Sequence, residues 1–265
     1  MTTKRGNNMI EKIICGDCLE VMKDIPDKTV SMVLCDLPYQ ITRCKWDSII
    51  PFEPLWEQYN RVIKDNGAIV LTASQPFTTA MINSNFKNFC YTWIWDKKFG
   101  ANFVQAKRQP LRTHEDIVIF SNNGKMPNYY PQMIDRDIPI KKGANKLDEA
   151  IPIARTETNK QYEKKVYDKK YPDTQLHYSS RENRGLHPTQ KPVSLFEYLI
   201  RTYTNEGETV LDNCMGSFTT AVACDNLNRR WIGIEKEMEY CEIGLKRVND
   251  NRVALGMDKV ELIEY

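Results

Sequence analysis

The 265-residue sequence predicts an α/β protein: a mostly parallel sheet with helices packed on it. Three observations lead there. Short apolar runs alternate with helical periodicities as far as Ser121, and the same rhythm returns after His187. Three of the runs stop on a carboxylate, Asp36, Asp212 or Glu235, the position where open α/β sheets hold ligands. Between the two rhythmic parts lies a long stretch with neither period.

Taken in order, residues 10 to 15 alternate weakly and end in Cys15-Gly16-Asp17, a strand followed by a turn. Leu19, Val21, Met22 and Ile25 define a short amphipathic helix. The run Met32 to Cys35 then reads as a buried strand that stops on Asp36. Pro38 cannot continue a central strand and pushes Leu37 towards an extended conformation. The turn Asp36-Leu37-Pro38-Tyr39 therefore holds a carboxylate, a backbone carbonyl and an aromatic face together. Two acceptors beside a flat ring suit a planar group carrying an NH2. A lone Asp-x-Pro-Tyr is more often a capped turn with a half-buried tyrosine, so the remaining chain decides its weight.

A helix is expected over residues 54 to 64, stopped by Asn66-Gly67, with a buried strand from Ala68 to Ala73. Another helix starts near Pro76, and Phe89 to Trp95 and Asp116 to Phe120 read as strands. From Ser121 to Gly185 little period is visible. Between Lys125 and Arg184 there are 13 Lys/Arg against 9 Asp/Glu, interleaved with tyrosines 129, 130, 162, 167, 171 and 178. A solvated linker is the plainer reading, but disordered segments are poor in aromatics. Cations for phosphates and rings for bases make a nucleic-acid surface.

After His187-Pro-Thr-Gln-Lys-Pro192, a helix with Leu195, Phe196, Leu199 and Ile200 on one face is expected to about Thr204. Thr209 to Leu211 is a strand ending on Asp212, and Asn213 to Thr220 opens a helix. Trp231 to Ile234 ends on Glu235, a helix follows over 237 to 249, and Val260 to Ile263 is a last strand. Gly216 permits close backbone approach, the helix start presents free N–H groups, and an acid some twenty residues on can bind ribose hydroxyls. Without GxGxxG there is no room for a pyrophosphate. A nucleoside with a small charged tail fits better than a dinucleotide, and S-adenosylmethionine is such a molecule.

Bulk properties narrow the classes. No apolar run approaches the roughly 18 to 20 residues that cross a bilayer, and no secretory signal is seen, so a cytoplasmic protein is expected. Eight cysteines fit reduced thiols there. Cys15-Gly-Asp-Cys18 has CxxC spacing with no second ligand pair, so no metal site is expected. A net charge of +2 means that an anionic partner is held by a local patch.

Taken together, Gly16-Asp17-Cys18, Asp36-Leu-Pro-Tyr39, the basic stretch, His187 to Pro192, Asp212 to Thr220 and Glu235 resemble the β group of amino-methylating DNA methyltransferases. In that group the catalytic motif comes first, a target-recognition region follows, and the cofactor motif comes last. The resemblance covers nearly the whole chain. It implies a Rossmann-like, circularly permuted methyltransferase fold on a seven-stranded sheet, mostly parallel with one antiparallel strand. It divides this chain into a catalytic half (1–121), a target-recognition insertion (122–186) and a cofactor-binding half (187–265).

It further implies methyl transfer from S-adenosyl-L-methionine to N6 of a flipped-out adenine in DNA. Asp36, Leu37, Pro38 and Tyr39 would be catalytic, and Asp17, Cys18, Lys191, Asp212, Asn213, Cys214, Gly216, Ser217, Thr219 and Glu235 would bind the cofactor. Two motifs depart from the usual pattern. Leu37 stands where the group has proline, which keeps the carbonyl. Asn213, Cys214 and Phe218 replace Pro, Phe and the second Gly of the cofactor motif, and Phe218 is expected to crowd the turn. Alternatives are N4-cytosine methylation, whose enzymes usually carry serine at Asp36, and a DNA-binding relative weakened in catalysis. A nucleotide-dependent oxidoreductase is disfavoured by the missing glycines. A restriction endonuclease partner, and monomer against homodimer, stay open at this level.

Overall fold

The structure is a computed structural model, and it describes residues 9–39, 48–142, 165–182 and 190–265. The strands and helices follow in chain order: β1 (Ile13–Cys15), α1 (Cys18–Met22), β2 (Val30–Cys35), α2 (Phe52–Val62), β3 (Ile63–Ala73), α3 (Phe77–Ser84), β4 (Phe89–Ala101) and β5 (Arg112–Ser121). Then come β6 (Ile134–Lys142), β7 (Lys165–Lys170), β8 (Gln175–His177), α4 (Val193–Tyr203), β9 (Thr209–Asp212), α5 (Thr219–Asn226), β10 (Arg230–Glu235), α6 (Met238–Ala254) and β11 (Leu262–Glu264).

Nine strands form one sheet in the order β11-β1-β10-β9-β2-β3-β5-β4-β8. All neighbours pair in parallel except β5, which runs antiparallel to both β3 and β4. Among the described residues the sheet has nine strands where seven were expected, through β11 and β8. Each is a three-residue edge strand, too short to show a period in sequence. The mostly parallel sheet with one antiparallel strand is as expected.

Strand β2 sits in the middle between β9 and β3, and all six of its residues are buried. Met32 and Leu34 join one apolar cluster, Val33 and Cys35 the other, because successive side chains leave opposite faces. A strand covered on both faces must be apolar throughout, which is why its sequence reads as a run and not an alternation. Strand β3 begins five residues before the expected start and passes through Asn66-Gly67. A side chain at Gly67 would lie 2.8 Å from the Ser31 carbonyl, so the glycine marks a close approach of β3 to β2 rather than a stop.

Helix α2 buries Leu55, Trp56, Tyr59 and Val62 at helical spacing, and α4 buries Leu195, Phe196, Leu199, Ile200 and Tyr203. Among the described residues, no helix is long and apolar enough to cross a membrane.

The chain divides into two compact units, 1–130 with 174–265, and 131–173. The smaller lies inside the stretch read as irregular. In it β6 and β7 pair antiparallel, with a register shift between Asp135 and Ile140. Pro139 and a run of charges hid the period there. Residues 143–164 and 183–189, including His187, lie outside the described residues.

Candidate active site

Parallel pairing brings the carboxyl ends of β1, β2, β3, β9 and β10 to one edge of the sheet. Antiparallel β5 brings its beginning there. Asp36 leaves β2 at this edge. Its Oδ1 accepts hydrogen bonds from the Tyr39 hydroxyl at 2.5 Å and from the Thr72 hydroxyl near the end of β3. Its Oδ2 accepts from Lys191 Nζ at 2.6 Å. The Tyr39 ring lies 5.0 Å from that of Phe77, so the tyrosine is fixed at both ends.

Behind Asp36 runs a chain of alternating charge. Lys191 Nζ is also 3.4 Å from Glu115 Oε2, and Lys97 Nζ donates to Glu115 Oε1 at 3.1 Å. Burial alone would lower the Lys191 pKa, but the carboxylates of Asp36 and Glu115 outweigh it and push it up to about 12. Burial acts upward on Glu115, yet the charges of Lys191 and Lys97 hold it below the usual glutamate value. Lys191 and Glu115 are therefore both ionised at neutral pH.

The second half of the site is built on β9, α5 and β10. Asp212 is buried; its Oδ1 accepts from Cys214 N at 3.1 Å and its Oδ2 from the Thr220 hydroxyl at 2.5 Å. Burial raises its pKa to about 7 against these bonds. The two contacts pin the ends of the Asn213–Phe218 turn. Gly216 has φ of 51°, which suits glycine, and its N–H donates to Glu235 Oε2 at 2.8 Å. Glu235 Oε1 accepts from the backbone N–H groups of Lys236 (2.8 Å) and Glu237 (3.0 Å). A carboxylate has about four acceptor sites, so three N–H donors leave room for one more. Burial nevertheless raises the Glu235 pKa.

Phe218 corrects an expectation. It takes φ of 61° at the start of α5, where glycine would be free of strain, but its ring is fully buried away from the turn. It lies over Gly244 of α6, where a Cβ would fall 2.0 Å from Phe218 Cδ2. Missing bulk on α6 accommodates the added bulk on the turn. Gly→Ala in a helix usually adds up to about 1 kcal/mol. Gly244→Ala is instead expected to lose about 1–3 kcal/mol by overpacking. Urea denaturation checks this; a variant as stable as the parent would mean that the ring has another place to go.

Every residue predicted for the site lines one cavity of about 830 Å³. Their placements differ in kind. Asp17 caps α1, accepting from Leu19 N at 3.0 Å, while its carboxylate is 3.7 Å from Lys236 Nζ. Cys18 is buried at the floor. Asn213 Oδ1 accepts from the Tyr59 hydroxyl at 2.5 Å, tying the turn to α2. Lys191, expected on the cofactor, points its ammonium at Asp36, and its carbonyl accepts from Thr219 Oγ1 at 3.3 Å. The Leu37 side chain is buried in the core, so it packs as well as offering a carbonyl.

Sequence reading missed Thr72, Glu115, Lys97 and Arg247. Arg247 of α6 donates to the Ser217 carbonyl at 2.6 Å and to Thr219 Oγ1 at 3.0 Å. Thr72 was detectable as the one hydroxyl in an apolar strand beside that of Asp36. Glu115 needed the knowledge that β5 is antiparallel, which alone brings its first residues to this edge.

A Rossmann-like sheet, an acidic turn at one strand end and a nucleoside-type turn at the next, opening into one cavity, define a methyltransferase of the nucleoside-cofactor class. The chain belongs to the family of N6 and N4 DNA methylases, whose model matches residues 30–246. It is a DNA methyltransferase that uses S-adenosyl-L-methionine. It is 28% identical over 258 residues to the DNA adenine methyltransferase YhdJ of Escherichia coli K12, covering 92% of this chain and 85% of that one. It is 25% identical over 262 residues to the type II methyltransferase M.HpaI of Haemophilus parainfluenzae, covering 91% and 75%. In fold it resembles the M1.HpyAVI–SAM complex, with TM-score 0.60, 24% identity and coverage of 90% and 98%. The cytosine-N4-specific PvuII methyltransferase gives TM-score 0.63 at 16% identity, covering 95% and 94%.

The lining fits the cofactor. Buried Glu235 keeps an acceptor position beyond its three N–H donors, and positive-φ Gly216 leaves the wall beside it without a side chain.

Proposed function

We propose that this protein methylates the N6 amino group of adenine within a specific DNA site, with the order of parts of the β group. The observation that carries this reading is the Asp36 carboxylate, held by Lys191, Tyr39 and Thr72 in the same cavity as the Gly216–Glu235 turn. Asp36 in place of serine favours adenine over cytosine.

An exocyclic amine is a poor nucleophile because its lone pair is delocalised into the ring. Asp36 Oδ2, with one lone pair free of Lys191, and the Leu37 carbonyl accept the two amino hydrogens. Both acceptors stabilise the positive charge that grows on nitrogen. The face of Tyr39 supports the base, which must leave the duplex to reach the cavity. S-adenosyl-L-methionine supplies the methyl group, already activated on a sulfonium. The N–C bond forms as the S–C bond breaks, and the proton leaves nitrogen afterwards, so no strong base is needed. Holding the nitrogen in line is what remains for the site to do.

Glu235, with Asp17, Cys18, Asp212, Asn213, Cys214, Ser217 and Thr219 around it, forms the cofactor side. Residues 122–186 carry the sequence reading, supported by their local basic excess and tyrosines. Glu235→Ala is expected to weaken S-adenosylmethionine binding by about 1.5–3 kcal/mol, the value of a charge-assisted hydrogen bond. DNA affinity should change little. Unaltered cofactor affinity in titration calorimetry would remove Glu235 from this role.

The function itself is tested by sequencing DNA from cells that express the protein, with detection of modified bases. N6-methyladenine at one recurring motif is the expected result. N4-methylcytosine would move the reading to the cytosine enzymes, and unmodified DNA would favour a DNA-binding relative.

A further inference from the structure

The sequence places its basic surface after Ser121, yet the most one-sided charge lies before it. Residues 97–114 contain five Lys/Arg (97, 98, 107, 108 and 112) and no Asp or Glu. They form the hairpin between β4 and β5, at the mouth of the cavity. Phe99, Gly100, Ala101 and Phe103 all line that mouth.

The tip of this hairpin is apolar and turned to solvent. Phe103 is 69% exposed and Val104 98%, the latter the most exposed of the large hydrophobic residues described. They stand on a short 3-10 turn (Phe103–Gln105) that follows Asn102 in the left-handed region. The turn holds its own shape: Gln105 N donates to Asn102 O at 3.1 Å, Ala106 N to Phe103 O at 3.1 Å, and Arg108 N to Gln105 O at 2.8 Å. Ala101 pairs with Arg112 at the base of the tip, and Gly100 lies flush against Leu111. The stem is fastened below by Arg112 Nη1 on Ser74 Oγ (3.1 Å) and by Lys97 on Glu115. Lys98, Lys107 and Arg108 are exposed and make no ion pair among the described residues.

A pair of apolar side chains held out on a self-supporting turn, ringed by cations without a single acid, matches one kind of surface. Its outside is anionic and its inside is apolar and planar: the base stack of DNA. A base drawn into the cavity leaves a gap in that stack, next to the rim where Phe103 stands. The geometry points to the β4–β5 hairpin as a second DNA-contacting element. Its Phe103 and Val104 enter the stack and hold open the place of the displaced base, while Lys98, Lys107 and Arg108 grip the flanking phosphates. This rests on the DNA-methyltransferase reading and adds to it an element separate from the recognition region.

The test uses duplex oligonucleotides carrying the site found by modification mapping, with the target base either paired or opposite an abasic position. Phe103→Ser/Val104→Ser is expected to lower kcat/KM at least tenfold on the paired duplex. On the abasic duplex, where no partner need be parted, the loss should stay under threefold. Phe103→Trp should keep most of the activity. Equal losses on both duplexes, or none on either, would overturn the proposal. So would a parent dimer that falls apart in the double variant with methylation unchanged, since a second copy would then be the occupant. Lys107→Ala/Arg108→Ala gives an arm independent of catalysis. The slope of log K against log salt for duplex binding should fall by about 2, close to 0.9 for each phosphate contact. An unchanged slope would remove the hairpin from DNA. A wild-type protein that binds DNA with this slope but methylates neither duplex would count against the enzymatic reading and not against the hairpin.

Discussion

Asp36→Ala is expected to reduce methyl transfer by on the order of a thousandfold, the upper range for removing one preorganised partner of a developing charge. The cofactor should still bind within a fewfold of the parent, because among the described residues Glu235 and the Asn213–Phe218 turn make no hydrogen bond or ion pair with the Asp36 carboxylate. The fold should survive, since Lys191 keeps Glu115 and the Tyr39 and Thr72 hydroxyls keep each other at 2.8 Å. Asp36→Asn is the sharper variant. It preserves shape but replaces an acceptor by an NH2 group, so it should be as inactive as the alanine form. Single-turnover kinetics with tritiated S-adenosylmethionine measures both. An asparagine variant with more than a tenth of the parental rate would show that charge at this position is not what the reaction needs.

Lys191→Met should have the largest effect on stability. It leaves the Asp36 and Glu115 carboxylates facing each other in a buried site without the shared cation. Breaking such a cluster on one side costs about 3–5 kcal/mol, because the remaining charges stay desolvated. Adding Glu115→Gln should recover part of this loss, since the repulsion between the two carboxylates is then gone while Lys97 had answered only one of them. Chemical denaturation of the four proteins in the cycle measures the coupling, and strict additivity would mean that Lys191 and Glu115 act independently.

The pH range is set by the two shifts. Lys191, raised to about 12, adds stability in full below about 10.4, the free lysine value, and this fades as pH climbs towards 12. Glu115, held below its ordinary value, adds stability above about 4.3 that is lost as pH falls through its folded pKa. The difference between parent and Lys191→Met should therefore be nearly flat from about pH 6 to 9.

How much could be read in advance differs from residue to residue. Asp36, Asp212 and Glu235 were legible because a buried parallel strand is an apolar run, and a carboxylate that ends one has few other places to be. The α4 helix was legible from Leu195, Phe196, Leu199 and Ile200, whose spacing admits one face only. The edge strands β8 and β11 were not, because three residues cannot display a period. Strand β6 was hidden by Pro139 and by its run of charged residues. Asn66-Gly67 misled because glycine in a strand and glycine at a stop look alike until the Ser31 carbonyl is seen 2.8 Å from where a Cβ at Gly67 would stand.

By itself the sequence determined the α/β class and the carboxylates at the ends of buried strands, and with them a shared edge once those strands are parallel, since these depend on local composition and on the crossovers that parallel strands need. Only the tertiary structure decided what each group faces. Lys191, 155 residues from Asp36, turns its ammonium to that carboxylate while its carbonyl accepts from Thr219. Glu115 reaches the site because β5 runs against its neighbours, and the Phe218 ring is buried against α6 because Gly244 makes room for it. Contacts of that kind join residues far apart along the chain. Their partners are chosen by packing and by the need to neutralise buried charge, neither of which leaves a periodic mark on the sequence.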